Sequence, residues 1–266
     1  MLGKLMKYEW KATWKLLAPL NLFIVLTSIL AYITVQLSFF DTDSNLVILT
    51  GTMIMTTYIL SMIVVSIGTT IYLIYRFYTS VYGDEGYLLH TLPVDKHHII
   101  IAKVLVSVSW LLINAALIYV SIIVLFSTQR AFVDAMVDSF EFYVEIANDA
   151  GIELIGGFDV LMTLIASLAA VIARILKVTA SVSLGQLAPN HKVLSAFGIY
   201  CGLYFVQNIF SVFYSIMVMV RALGKPDDLF WLFSSSWEFN LISSLLYCVL
   251  FYFLTWYVME KKLNLD

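Results

Sequence analysis

The sequence predicts an all-α integral membrane protein with six transmembrane helices, and three observations carry that prediction. Five runs free of charged residues, at 16–40, 44–75, 104–129, 193–220 and 239–259, are each 21 residues or longer. A sixth apolar run begins at Val160 and is interrupted near its end by Arg174 and Lys177. The composition is 61% hydrophobic and 12% charged, against about 25% charged in a typical soluble domain. About 20 apolar residues of helix cross a bilayer core of roughly 30 Å. The expected spans are therefore about 18–40, 46–75, 102–128, 158–178, 193–220 and 238–259, within one transmembrane domain covering 1–266. Function falls to the segments between them.

The first fifteen residues carry four lysines, but the apolar run behind them is too long for a signal-peptide core and lacks a small-residue cleavage site. Lys4, Lys7, Lys11 and Lys15 recur at helical spacing, with Leu2, Leu5, Met6, Trp10, Thr13, Trp14 and Leu17 on the other side. A basic stripe opposite tryptophans predicts an amphipathic helix over 1–17 lying on an anionic leaflet. It reads either as a plain interfacial anchor or as a helix that also packs on a cytoplasmic partner. Pro19 is expected to bend the chain into the first span.

Orientation follows from the lysines and arginines. Counted over alternate connections, twelve basic residues fall on the side of the termini and three, Arg130, Arg221 and Lys225, on the other. Positive residues mark the cytoplasmic face, so both termini are expected inside. Acidic residues show the reverse bias, with twelve outside and six inside.

The connection at 76–101, ahead of Lys103, is the most distinctive. Gly83 and Gly86 bracket Asp84 and Glu85, and Pro93 follows Leu92. Asp84 can cap a short helix running toward Leu92, and Pro93 can end that piece and begin the next. Tyr87, Leu88 and Leu92 would then form an apolar face on the cytoplasmic side, the kind of surface that marks a partner site.

These residues carry a resemblance. Leu92-Pro93-Val94, Lys96, the apolar run from Ile99 and Lys103 match, in order, the first cytoplasmic loop of the permease subunits of type-2 ATP-binding-cassette exporters. The stretch Asp84-Glu85-Gly86-Tyr87-Leu88, and later Ser183-Leu184-Gly185-Gln186 with His191-Lys192, resemble a branch of that family found in Gram-positive bacteria. The resemblance covers the topology of nearly the whole chain and about forty residues at motif level. It implies a bacterial cytoplasmic membrane protein that pairs with a second permease chain, identical or different. It also implies cytoplasmic ATPase subunits, carrying the ATP and Mg, that grip a coupling helix between spans 2 and 3. By that analogy Asp84, Glu85, Tyr87, Leu88, Leu92 and Pro93 contact the ATPase.

The connection between spans 3 and 4 predicts an amphipathic helix over about 130–150 on the outer side. Asp134, Asp138, Glu141, Glu145 and Asp149 fall on one helical stripe, with Val133, Val137, Phe140, Val144 and Ala147 beside it. The helix is expected to pack over the mouth of the spans or to lie on the outer surface. Its acids are either a solvated face or an attraction for cationic peptides or divalent ions. In the last outer connection, at 221–238, Phe230, Trp231, Phe233 and Trp237 read as an interfacial aromatic belt.

What is missing narrows the function. No Gly-x-x-x-x-Gly-Lys-Ser/Thr phosphate loop occurs, so the chain is not expected to be an ATPase, and it holds no cofactor of its own. His90, His97 and His98 lack the further ligands a tetrahedral metal site needs. Cys201 and Cys248 sit in spans and offer no disulfide framework. No nucleophile with its base stands in a span, and no feature points to nucleic acid. Carriers driven by ion gradients place carboxylates or histidines in mid-membrane. Here the spans hold the amides Asn21, Gln36, Asn114, Gln207 and Asn208, while Arg174 and Lys177 are expected to snorkel to the inner headgroups. Transport energy would then come from a partner. The expected function is the membrane subunit of an exporter moving an amphipathic peptide, antibiotic or lipid. The alternative is a non-transporting sensor or scaffold that docks a cytoplasmic signalling partner through the same loop. An intramembrane lipid enzyme fits less well, for want of catalytic residues.

Overall fold

A computed structural model of the chain describes residues 2–37, 39, 44–83, 85–86, 95–127, 129–149, 157–224 and 229–261. Seven long helices account for nearly all of them: α1 (Leu2–Gln36), α2 (Asn45–Tyr82), α3 (Lys96–Ser127), α4 (Arg130–Asp149), α5 (Gly157–Gly185), α6 (Lys192–Gly224) and α7 (Leu229–Lys261). All but α4 are long and apolar enough to cross a membrane, the signature of a multi-pass membrane protein. Their hydroxyls are spent locally. Thr27, Thr34, Thr52, Ser121 and Thr255 each donate to a carbonyl three or four residues back, as hydroxyls must where no water is at hand.

Helix starts follow from capping chemistry. The Asp95 carboxylate accepts from the backbone N–H of His97 at 3.2 Å, which makes it the N-cap of α3. His191, with φ of 55°, stands ahead of α6, where its carbonyl accepts from the N–H of Ser195. A left-handed histidine is uncommon but tolerated. It lets the chain reverse within the few residues after α5. Gly185 closes that reversal: a Cβ there would sit 2.5–2.7 Å from the Cβ and backbone of Ala196.

The chain divides into two compact units, Met1–Arg76 with Leu105–Phe142, and Phe77–Val104 with Tyr143–Asp266. In the first, α1 packs on α2 and α3 around Leu17, Leu73, Val106 and Trp110, and again around Ala31, Tyr58 and Leu125. Polar bridges link its helices. The Trp110 indole donates to Thr13 at 2.9 Å, Thr27 meets Ser61 at 2.8 Å, and Tyr58 meets Ser121 at 3.0 Å. Asn114 donates to the Asn21 side chain and accepts from Ser66, while Asn21 donates to the Leu17 carbonyl. In the second unit, α5 packs chiefly on α7, less on α6, and α6 barely meets α7. Ala166, Ala169, Ala173, Ala180 and Ser183 are buried on α5, and small residues of this kind let helices approach closely in a membrane.

The structure differs from the sequence expectation in three places. Helix α1 is continuous over 35 residues with Pro19 inside it, so 2–17 is not a separate interfacial helix. Proline removes one backbone donor there, but the packing of both flanks on α2 and α3 holds the helix together. The expected 76–101 loop is shortened from both ends, because α2 runs on to Tyr82 and α3 begins at Lys96. Finally, α5 continues to Gly185 and α7 begins at Leu229, so helix takes up much of what was read as connection.

Candidate functional site

The ends of the α2–α3 connection are built into the second unit by specific bonds. Lys103, only 7% exposed, donates to Ser80 at 2.6 Å and so ties the start of α3 to the end of α2. Tyr82 donates to Ser183 at 2.7 Å, fixing the end of α2 to the end of α5. His97 shares a hydrogen bond with Tyr252 at 2.5 Å and stacks on Trp256 at 5.4 Å between ring centroids. Lys96 pairs with Glu260 at 3.1 Å across a partly exposed surface. These contacts clamp both stumps of the connection onto α5 and α7. His97 is thus a packing and hydrogen-bonding residue of the α3–α7 contact.

Of the residues expected to contact an ATPase, Glu85 is helical and exposed. Asp84, Tyr87, Leu88, Leu92 and Pro93 lie outside the described residues. Lys4, Lys7, Lys11 and Lys15 are exposed. Trp10 and Trp14 instead lean on another helix: Trp10 stacks on Trp110 at 4.8 Å and 16°, and Trp14 lies 5.8 Å from the same ring. Glu9 and Arg76 form an ion pair at 3.4 Å beside them. Trp10 packs on α3 because Trp110 offers a flat apolar partner, a long-range contact that periodicity cannot reveal, while Trp14 keeps 55% of its surface exposed.

On α4, Asp134, Asp138, Glu141 and Glu145 are exposed, and so are Val133, Val137 and Phe140. The side chain of Asp149 lies outside the described residues. The apolar stripe of α4 is thus open among the described residues.

A second feature was not anticipated from the sequence. Between α5, α6 and α7 lies a cavity of about 400 Å³. It arises because α6 and α7 both lean on α5 while barely meeting each other; the stacked rings of Tyr214 and Phe239, 3.6 Å apart, are one place where they do. Helix α6 lines it with Tyr204, Gln207, Asn208 and Ser211, and α7 with Asn240, Ser243, Ser244 and Tyr247. Both sets are spaced i, i+3, i+4, i+7, the pattern of a single helical face. Helix α5 contributes Arg174 and Lys177.

Lys177 does not snorkel outward. It is 5% exposed, donates to the Gln207 side chain at 2.9 Å, and lies 4.9 Å and 5.2 Å from the ring centroids of Tyr204 and Tyr200. A side-chain oxygen and two aromatic faces offset its burial, which is why it turns inward. Gln207 and Ser244 each stand midway along a 33-residue helix, so the cavity sits deep in the spans. Among the described residues no carboxylate lines it. An ionisable residue held inside a membrane is a candidate functional residue.

No protein-family model matches the chain, and no curated protein or solved structure matches it significantly. The functional reading therefore rests on the loop base and the cavity.

Proposed function

We propose that the chain is the membrane-spanning subunit of an ATP-driven exporter in a bacterial cytoplasmic membrane, with both termini inside. A separate cytoplasmic ATPase docks on the connection between α2 and α3 and supplies the energy. A second permease chain, identical or different, completes the pathway, and the cargo is an amphipathic peptide, antibiotic or lipid. The observation that carries this reading is the clamped loop base. Movement imposed on the connection passes through Tyr82–Ser183 and His97–Tyr252 into α5 and α7, two of the three helices that line the polar cavity. The excess of basic residues on the side of the termini supports the orientation. The exposed lysines of α1 suit an anionic inner leaflet, and the acids of α4 then face outside.

Buried apolar anchors at interfaces commonly contribute about 2 kcal/mol or more. Affinity purification of the tagged chain from its native membrane should therefore recover an ATP-hydrolysing subunit with the wild type and lose it with Leu92→Asp, while the permease itself still inserts. Equal recovery of that subunit with the variant would defeat the docking role. Recovery of a signalling protein without ATPase activity would favour the sensor or scaffold reading.

A further inference from the structure

We propose that the α5–α6–α7 cavity is a binding site for the oxyanion group of an amphiphile, a phosphate or carboxylate carried on an apolar chain. The site stands whether or not the chain exports anything. Lys177 and Arg174 are three residues apart on α5, so both cations reach one face of the cavity. Lys177 is nineteen-twentieths buried, and burying an ammonium costs several kcal/mol unless it is compensated. The Gln207 oxygen and the Tyr204 and Tyr200 rings are neutral and offset only part of that cost. With no carboxylate among the described lining residues, the two positive charges there have no acidic partner. An entering anion would supply the missing charge. An ammonium has three N–H donors, of which Gln207 takes one, and a guanidinium has five in a fork suited to an oxyanion. The hydroxyls of Ser211 and Ser243 line the same space.

The apolar part of the ligand follows from the surroundings. Tyr204 is 53% exposed, and none of the central stretch of α6 is buried, so the cavity borders surface that faces lipid. A headgroup can enter there while its chain stays among the bilayer tails.

The test uses the full chain purified in a zwitterionic detergent. Its thermal unfolding is followed against phosphatidylglycerol, phosphatidylcholine and inorganic phosphate, since a ligand that binds only the folded state raises its stability by mass action. Phosphatidylglycerol should stabilise the protein at concentrations where phosphatidylcholine does not. If inorganic phosphate acts equally well, the oxyanion alone is the ligand; if phosphatidylglycerol acts alone, the lipid is its source. Lys177→Met should weaken the anionic ligand by about tenfold or more, the scale of one charge-assisted hydrogen bond. Lys177→Arg should retain most of it. Arg174→Gln changes an exposed side chain that folding does not need, and should weaken binding by a smaller factor. Arg130→Gln, an exposed cation at the start of α4, should change nothing. Equal stabilisation by phosphatidylglycerol and phosphatidylcholine, or unchanged affinity in both Lys177→Met and Arg174→Gln, would overturn the assignment.

Discussion

The two compact units use the same polar residue types for opposite ends. In the first, Asn21 and Asn114 bond to each other, to Ser66 and to a backbone carbonyl, and both are 5% exposed. Their polarity is consumed in joining helices. In the second, Gln207 accepts from Lys177, Asn208 donates to the Tyr204 carbonyl and Asn240 accepts from Ser244, yet all three line open space beside two cations. An amide in a span is therefore not informative by itself. What separates adhesive from site is whether its partners exhaust it or leave room for something else, and that depends on how tightly the neighbouring helices meet. Three helices close on one another in the first unit, whereas α6 and α7 stand apart in the second.

The comparison breaks first at Trp110, the largest wholly buried side chain of the first unit. Trp110→Ala removes two ring contacts and the bond to Thr13, and should cost about 3–5 kcal/mol of unfolding free energy. Detergent unfolding curves measure this. Affinity for anionic lipid should survive below the new transition, because the cavity is built from other helices.

In the second unit, α5 and α6 approach closely where Gly185 meets Ala196. Gly185→Val drives a side chain into backbone only 2.7 Å from its Cβ, an overpacking that costs about 1–3 kcal/mol. It also spreads α5 from α6, so here stability and lipid affinity should fall together. A variant as stable as the wild type would mean that the approach is looser than described.

A smaller effect on stability is expected at the loop base. Tyr252→Phe deletes the bond to His97 while keeping the ring stack, a loss of about 1 kcal/mol. If the base transmits motion, ATP hydrolysis by the complex should lose its dependence on substrate by more than that small destabilisation explains. Unaltered coupling would confine His97 and Tyr252 to packing.

Most of the fold was legible in the sequence. The six spans and the helix over Arg130–Asp149 follow from charge-free length and from periodicity, which report on solvent, and solvent is what a membrane changes most. Helix ends were less legible. Pro19 lies inside α1 because tertiary contacts on both sides outweigh one lost backbone bond, and α2 and α3 extend into the connection because the second unit packs their ends. The candidate site was half written in the chain. The stripes Tyr204, Gln207, Asn208, Ser211 and Asn240, Ser243, Ser244, Tyr247 are plain as polar positions at helical spacing within apolar runs. Gln207 and Asn208 stand out as amides in a span, but serine and asparagine barely disturb a hydropathy average, so the second stripe does not. The inward turn of Lys177 was not legible at all. A lysine stem reaches headgroups or a neighbouring helix equally well, and only the position of Gln207 and the tyrosines decides between them.

The distinction between the two units is tested most directly by one paired measurement on a single preparation: unfolding free energy and phosphatidylglycerol affinity for Asn114→Ala and Lys177→Met. Asn114→Ala strands Asn21 and Ser66, and should lower stability by about 1–3 kcal/mol while leaving affinity unchanged. Lys177→Met removes an ammonium whose burial costs free energy, so stability should hold or rise while affinity falls by about tenfold. If the two variants shift the same quantity in the same direction, the polar residues of the second unit are packing like those of the first, and the site assigned to them does not exist.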